Sequence, residues 1–405
     1  MKGVYIDIKT AIMNFKKLCL LLLSCLLLAM YSCSDEDSLG LDSANADIAG
    51  SIGLSETSGN GAETTEGLIT AGEWNDLEEW DFWKAILQRE EFEPNDRWVI
   101  STSNRLSVVV LTGTTPMVDV EVEVRQAGLS GFTRGWKART DNSGKAELWI
   151  DPFSNAATPN LSDFVYVVDG TEFGQVLNYE SGVVTLTAPL SSSTSSLKVD
   201  LSFIVDATSS MADELEFIKD DLEDVIRRVE SNNRALEIRT STVFYRDEGD
   251  EYLVRGSEFT EDLDETLAFI DRQSAGGGGD FPEAVHTGLE RSISNMRWSE
   301  EARTRIAFLI LDAPPHDDLS VISSISLQIR KAAEKGIKLI PITASGIDKN
   351  TELLMRQMAI LTNGTYVFIT NDSGIGNDHL EASVGDYEVE FLNDLMVRLI
   401  GEYSE

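Results

Sequence analysis

The sequence predicts a multidomain chain whose C-terminal part is an α/β domain with a doubly wound, mainly parallel sheet. In that part, apolar runs of strand length alternate with helical patterns, which is typical of a parallel sheet with helices on both faces. The expected strands are residues 197–205, 236–245, 304–311, 337–343 and 365–369. The expected helices are one after the first strand and residues 262–272, 282–296, 320–334, 350–361 and 387–403. A small all-β sandwich and a flexible N-terminal tether are expected before this domain.

The sandwich is expected at residues 97–190, where apolar residues recur with a period of two. Residues 118–125 alternate between apolar and polar side chains, as a half-buried antiparallel strand does. Turn-forming residues at 141–144 precede a second strand-like run at 146–150. The sequence of this turn resembles those of small Ig-like or carboxypeptidase-regulatory-like sandwiches. Such a resemblance implies a spacer, which a serine-rich linker at 190–196 would join to the α/β domain.

Residues 67–96 are expected to form a Trp-rich helical segment. Between residues 73 and 88, large apolar side chains recur on one helical face. They are Trp74, Leu77, Trp80, Trp83 and Leu87. Three tryptophans are compatible with a sugar platform, but packing of this stripe on the next domain is the favoured interpretation.

The first 32 residues are expected to be a lipoprotein signal peptide. Lys16 and Lys17 precede an apolar stretch at 18–31 that is too short to span a bilayer, and the start is either Met1 or Met13. The residues before Cys33 resemble a bacterial lipobox, which implies a lipid anchor on this cysteine.

Residues 33–66 are expected to form an acidic, disordered tether, because they have few large apolar side chains to offset chain entropy. The acidic run at 34–37 resembles the export tag of some surface lipoproteins. The resemblance implies an outer membrane lipoprotein exposed at the cell surface. Of the three cysteines only Cys33 would remain after processing, so no internal disulfide is expected.

A candidate metal site follows the first strand of the α/β domain. Asp206, Thr208 and Ser210 offer hard oxygen ligands at alternate positions, and Asp312 directly follows the strand at 304–311. Divalent cations such as Mg²⁺ prefer these ligands, and open α/β sheets bind ligands at the carboxyl ends of their strands.

These residues lie in a stretch, 197–403, that resembles a von Willebrand factor type A (vWA) domain, a Rossmann-like fold. The family's metal-ion-dependent adhesion site (MIDAS) has an Asp-x-Ser-x-Ser loop, a threonine in a second loop and an aspartate in a third. The resemblance implies that Asp206, Thr208, Ser210 and Asp312 bind Mg²⁺, with Mn²⁺ or Ca²⁺ as alternatives. The second loop resembles a Gly-Gly-Gly-Asp-x-Pro-Glu variant, in which Asp280 would be the metal ligand, or Gly279 would hold that position with the register shifted by one.

The expected function is metal-dependent adhesion or protein binding in the bacterial cell envelope, with a protein or glycan ligand at the metal-bearing face. The alternative is a non-catalytic subunit that recruits or regulates an envelope enzyme or transport complex. A formal net charge of -36 argues against nucleic acid or anionic lipid as partners, because both would be repelled, and favours cations and basic protein surfaces.

The sequence predicts that the chain is not an enzyme. An aspartyl phosphotransferase would need a second aspartate where Thr208 stands. The histidines 286, 316 and 379 are widely separated, and none accompanies a nucleophile motif. Residues 373–380 resemble a single calcium-binding β-roll repeat, but one copy has no stacking neighbour, so a simple turn is expected.

Overall fold

The computed structural model describes residues 68–89, 92, 98–127, 135–154, 159–179, 182–188, 193–232 and 234–405. These residues belong to one compact unit, Ala62–Glu405. The expected signal peptide, the Cys33 anchor and the tether lie outside the described residues. Within the described ranges, no helix combines the length and the apolar character needed to cross a membrane.

Strands and helices are numbered separately in chain order. The strands of the described residues are β1 (Thr70–Trp74), β2 (Arg105–Thr112), β3 (Thr115–Pro116), β4 (Glu121–Gln126), β5 (Trp136–Arg139), β6 (Lys145–Trp149), β7 (Phe164–Val168), β8 (Thr171–Phe173), β9 (Val183–Thr187), β10 (Lys198–Asp206), β11 (Glu237–Tyr245), β12 (Val254–Gly256), β13 (Thr304–Leu311), β14 (Ile337–Thr343), β15 (Tyr366–Ile369) and β16 (Val389–Phe391). The α-helices are α1 (Trp80–Ile86), α2 (Ala212–Asn232), α3 (Leu263–Asp271), α4 (Val285–Leu289), α5 (Leu319–Lys335), α6 (Lys349–Leu361) and α7 (Leu392–Ser404). Shorter turns of 3-10 or π helix cover Leu161–Asp163, Ser209–Met211, Glu290–Ser294 and Asn371–Ser373.

The α/β domain is built on an eight-stranded sheet in the order β12-β11-β10-β13-β14-β15-β1-β16. Five neighbouring strands of this sheet are parallel: β11, β10, β13, β14 and β15. The remaining strands, β12, β1 and β16, pair antiparallel with their neighbours. The α/β prediction is therefore confirmed, although the sheet is mixed. β10 and β13 are its central strands and are almost wholly buried, which explains their near-continuous apolar sequences.

Helices cover this sheet through apolar faces that the sequence displays at helical spacing. In α2 the side chains that share this face are buried. They are Leu215, Ile218, Leu222, Val225 and Val229. The stretch 282–296, expected to be one helix, is divided into α4 and the π-helical turn Glu290–Ser294.

The segment 67–96, expected to be helical, instead supplies both a strand and a short helix. β1 pairs antiparallel with β15 and with β16, so it extends the large sheet. The N–H and C=O groups on the edge of β15 form hydrogen bonds with the backbone of this segment. These hydrogen bonds favour a strand at residues 70–74 despite the helical spacing of the apolar side chains. A Cβ on Gly72 would lie 2.6 Å from the Phe368 ring, so this strand needs a glycine where it crosses that ring.

Two four-stranded sheets form the expected sandwich region. One has the order β3-β2-β6 with β9 beside β2, and the other has the order β5-β4-β7-β8. Trp136, Trp149 and Tyr166 are fully buried in its core. The predicted turn is present: Asp141 Oδ1 accepts hydrogen bonds from the Ser143 and Lys145 amides at 3.0 Å. The Trp80 ring packs 6.1 Å from that of Trp149, so the tryptophan stripe contacts the sandwich.

Candidate metal centre

Two aspartates meet at the carboxyl edge of the large sheet. Asp206 is the last residue of β10, and Asp312 directly follows β13, its neighbour in the sheet. Because the two strands are parallel, their carboxyl ends lie side by side. Asp206 is completely buried and Asp312 almost so. The sheet order thus brings together two carboxyl groups that are more than a hundred residues apart in sequence.

The loop after β10 folds back onto its own aspartate. Asp206 Oδ1 accepts hydrogen bonds from the Thr208 amide at 2.9 Å and from the Thr208 hydroxyl at 2.7 Å. The Thr208 and Ser210 hydroxyl oxygens lie 3.1 Å apart, and the Ser210 hydroxyl opposes the rise in the pKa of Asp312. Four of the five predicted ligands, Asp206, Thr208, Ser210 and Asp312, are therefore in one cluster.

The glycine loop, residues 276–279, passes directly over this cluster. The Gly276 amide donates to the Ala207 carbonyl at 3.0 Å, and the Ser209 hydroxyl donates to the Gly277 carbonyl at 2.7 Å. Gly278 has φ +68°, and a Cβ there would lie 2.8 Å from Glu283 Oε1 and 3.2 Å from Thr208 Cβ. Only glycine fits both this backbone conformation and this close approach.

The structure does not bring Asp280 into the cluster. Asp280 is exposed, and among the described residues no hydrogen bond joins it to the other four predicted ligands. Glu283 supplies the third carboxyl group instead, and it is only 3% exposed. The physical reason is that the Glu283 amide donates to the Pro314 carbonyl at 2.9 Å, which fixes the returning end of the loop beside Asp312. Asp280 falls on the exposed stretch before it, and Gly279 is exposed as well.

Burial and neighbouring acidic groups raise the pKa values of all three buried carboxyl groups. Burial, followed by the charge of Asp247, raises the pKa of Asp206 to about 6. Burial and then the charge of Asp206 raise the pKa of Asp312 to about 7. For Glu283, burial and the charges of Asp206 and Asp247 raise the pKa to about 9. The cluster therefore holds more negative charge than its surroundings compensate.

One oxygen of each of these carboxyl groups lacks a partner. Asp206 Oδ2, Asp312 Oδ1 and Glu283 Oε2 are buried and accept no hydrogen bond from any described residue. Unpaired buried carboxylate oxygens are costly, and coordination of a metal ion is one of the ways in which proteins satisfy them. The residues present therefore fit a hard divalent cation.

The donor set mixes carboxylates with hydroxyls. Within the described ranges, no three His, Cys, Asp or Glu side chains are grouped as ligands of one ion. A site in which Thr208 and Ser210 hydroxyls and water accompany the carboxylates agrees with the ligand preferences of Mg²⁺, which retains several waters.

Two histidines hydrogen-bond buried acidic groups around the cluster. His316 Nε2 lies 2.7 Å from Asp247 Oδ1, and His379 Nε2 lies 2.9 Å from Glu214 Oε1. Asp250 Oδ2 accepts hydrogen bonds from the Asp247 amide at 3.0 Å and from the Gly278 amide at 2.9 Å. The Asp250 contacts link the glycine loop to the loop that follows β11. No motif in the sequence pairs either histidine with its acidic partner, because long stretches of chain separate them.

Comparison with known proteins identifies the domain that carries this cluster. Residues 200–374 match the family described as von Willebrand factor A domain. This chain contains a vWA domain. Domains of this family generally mediate protein interactions, which agrees with the broad expectation of an interaction or adhesion role. The lipoprotein assignment stays a prediction.

The curated relatives share only a short stretch with the chain. A putative ariadne-like RING finger protein of Acanthamoeba polyphaga mimivirus is 30% identical over 118 residues. An alpha-protein kinase of Dictyostelium discoideum is 36% identical over 120 residues. Each stretch is 29% of this chain, and the chain spans only 11% and 19% of these relatives. A solved structure, the conserved hypothetical protein BatB from Bacteroides thetaiotaomicron, has a TM-score of 0.34 at 14% identity, covering 51% of this chain and 98% of that one.

The prediction that the chain is not an enzyme is contradicted by these relatives. One of the proteins that share the stretch is named as a kinase and the other as a RING finger protein. The absence of a nucleophile motif therefore does not exclude an enzyme. The shared stretch is a small part of each relative, and it assigns no reaction to this chain.

Proposed function

We propose that the vWA domain binds a protein or glycan partner through a divalent cation at its carboxyl edge. Asp206, Thr208, Ser210 and Asp312 would hold the cation, and the Glu283 carboxyl group would lie beside them. The observation that carries the proposal is the group of three buried carboxylate oxygens without hydrogen-bond partners, all at the edge where β10 and β13 end.

Each residue type suits this task. Short aspartate, serine and threonine side chains lose little conformational entropy when they are ordered, and their oxygens match Mg²⁺, Mn²⁺ and Ca²⁺. Three nearby carboxyl groups would neutralise a dication and favour its retention. When bound, the cation would offer a coordination position to a carboxylate of the partner, in place of one of its waters.

The surroundings of the cluster favour a partner surface that is basic around this carboxylate. Glu248 and Asp280 are exposed beside the site, and Phe281 is 48% exposed next to the glycine loop. An aromatic side chain within an acidic rim is a common arrangement for contact with a basic protein surface.

Titration calorimetry with Mg²⁺ tests the metal site. Glu283→Gln is expected to weaken Mg²⁺ binding by about tenfold or more, because it removes a buried carboxyl group that would lose its proton when the cation binds beside it. Asp280→Asn is the matched control, since it removes one charge from the same loop but outside the cluster. Equal weakening in both variants would restore Asp280 as a ligand, and no weakening in Glu283→Gln would remove Glu283 from the set.

The partner is tested by capture on the immobilised chain with Mg²⁺ or with EDTA. Metal-dependent adhesion predicts a partner that EDTA releases and that Asp312→Asn no longer captures. A partner that remains bound in EDTA would instead favour a subunit that recruits or regulates an envelope enzyme or transport complex.

We also propose that the chain is anchored by lipid on Cys33 and exposed at the surface of the outer membrane. Radioactive fatty acid should label the wild-type protein but not Cys33→Ala, which should appear in the soluble fraction. Protease added to intact cells should remove the labelled protein. Labelling without protease sensitivity would place the anchored chain on the periplasmic side.

A further inference from the structure

A second site candidate lies far from the carboxyl edge. A cleft of about 950 Å³ separates the sandwich from the vWA domain, next to the end of α5. Arg305, the second residue of β13, lines this cleft, whereas Asp312 follows the last residue of the same strand. At about 3.3 Å per residue, the strand places the cleft roughly 23 Å from the metal cluster.

The cleft is rich in cationic side chains, although the whole chain is strongly acidic. Five basic residues line it: Arg139, Arg297, Arg305, Lys331 and Lys335. Three acidic residues do so: Glu121, Glu300 and Glu334. Lys137 also faces two of these acids, with its Nζ 3.0 Å from Glu121 and 4.0 Å from Glu334. The local charge balance is thus opposite to that of the chain.

The inner wall of the cleft is only partly neutralised. Arg139 and Arg305 both bind the same carboxylate, Asp119, at 2.6 and 2.7 Å. Two guanidinium groups on one carboxylate leave a net positive charge there. No described carboxylate of the sandwich or the vWA domain forms a second ion pair with Arg305.

The outer wall carries cations that form no ion pair with any described residue. They are Arg297, Lys331 and Lys335. Lys331 Nζ donates to the Ser294 hydroxyl at 2.9 Å, and Lys335 Nζ donates to the Ile293 carbonyl at 2.6 Å. Burial and then the positive charge of Lys331 lower the pKa of Lys335. Arg297 is exposed. The wall therefore presents three cations that no described carboxylate holds in an ion pair.

We infer that this cleft binds a phosphoryl group, either of a soluble phosphate ester or of a phospholipid headgroup. Several cationic donors on different backbone segments suit an oxyanion that accepts hydrogen bonds in several directions, as phosphate does. A planar carboxylate would satisfy fewer of them. The cleft is independent of the proposed metal site and shares no residue with it.

Titration of the full chain with inorganic phosphate and with glycerol phosphate tests the inference, with chloride at equal ionic strength as the blank. Lys331→Gln and Arg297→Gln are each expected to weaken phosphate binding about tenfold, because each removes a charge-assisted hydrogen bond. Arg234→Gln is the control: Arg234 is also exposed and forms no ion pair with any described residue. An unchanged midpoint of urea unfolding in each variant would show that it is folded.

Sedimentation with phosphatidylcholine vesicles, with and without phosphatidate, distinguishes the two sources of the phosphoryl group. Binding only to phosphatidate vesicles, lost in Lys331→Gln, assigns a lipid headgroup. Saturable binding of free phosphate or glycerol phosphate, lost in the same variant, assigns a soluble ester. The inference is overturned if none of these probes binds saturably, or if Lys331→Gln and Arg234→Gln bind them equally.

Discussion

Replacing Asp206 by asparagine is expected to have opposite effects on stability with and without metal. Asparagine keeps the shape of the side chain and can still accept the two hydrogen bonds from Thr208. It removes one negative charge from a fully buried position beside Asp312 and Glu283. The metal-free variant should therefore be more stable than the wild type at neutral pH, but it should gain nothing from Mg²⁺.

The magnitude follows from the pKa of Asp206, which burial raises from 3.8 to about 6. Below pH 3.8 this group is protonated in both folded and unfolded chains. As the pH rises towards 6, the unfolded chain loses this proton first, so the free energy of unfolding falls. A difference of about two pKa units corresponds to about 3 kcal/mol above pH 6. Asp206→Asn removes this loss and also lowers the pKa values of Asp312 and Glu283.

Urea unfolding in EDTA at pH 4 and at pH 7.5, followed by the same measurement with Mg²⁺ at pH 7.5, checks this prediction. At pH 4 the wild type and Asp206→Asn should differ little, and at pH 7.5 the variant should be more stable by up to about 3 kcal/mol. Saturating Mg²⁺, at about 100 times its dissociation constant, should stabilise the wild type alone by about 2.7 kcal/mol. A variant that is less stable than the wild type in EDTA at pH 7.5 would refute the reasoning.

Two further substitutions test the loop and the interface between the sandwich and the vWA domain. Gly278→Ala should lower the free energy of unfolding by about 1–2 kcal/mol because of the positive φ, and further because the added Cβ would contact Glu283. Gly249→Ala is the control in urea unfolding, since Gly249 also has a positive φ, +95°, but a Cβ there would meet no other atom within 4 Å. Equal losses in the two variants would show that Gly278 is not needed for close approach to the site. Asp119→Ala should cost about 3–5 kcal/mol, because it leaves two arginines without their shared carboxylate. A loss near zero would show that this ion-pair network does not hold the interface.

The strands of the α/β domain could be predicted because burial on both faces leaves an unmistakable pattern. Residues 304–311 and 337–343 coincide with β13 and β14 as observed. β1 could not be predicted, since its partner β15 is almost 300 residues away and the apolar side chains between residues 73 and 88 have helical spacing. Strand formation there depends on a sheet edge that only the tertiary structure supplies.

The part of the candidate site that directly follows two neighbouring strands of the sheet could be predicted from the sequence. Asp206, Thr208 and Ser210 are close in sequence, and Asp312 ends the neighbouring strand. The position of Glu283 in the cluster was missed because it depends on the path of the glycine loop, which has positive φ angles at Gly277 and Gly278. The Pro282-Glu283 pair after the glycines was the available signal, but Asp280 stood nearer to the position of the family's threonine.

Anomalous diffraction from a crystal soaked in Mn²⁺ tests the central claim most directly. The account predicts a single strong peak in the vWA domain, within coordinating distance of Ser210 and Asp312 and close to Asp206 and Glu283. No peak there, or a peak only at exposed carboxylates such as Asp280, would contradict it.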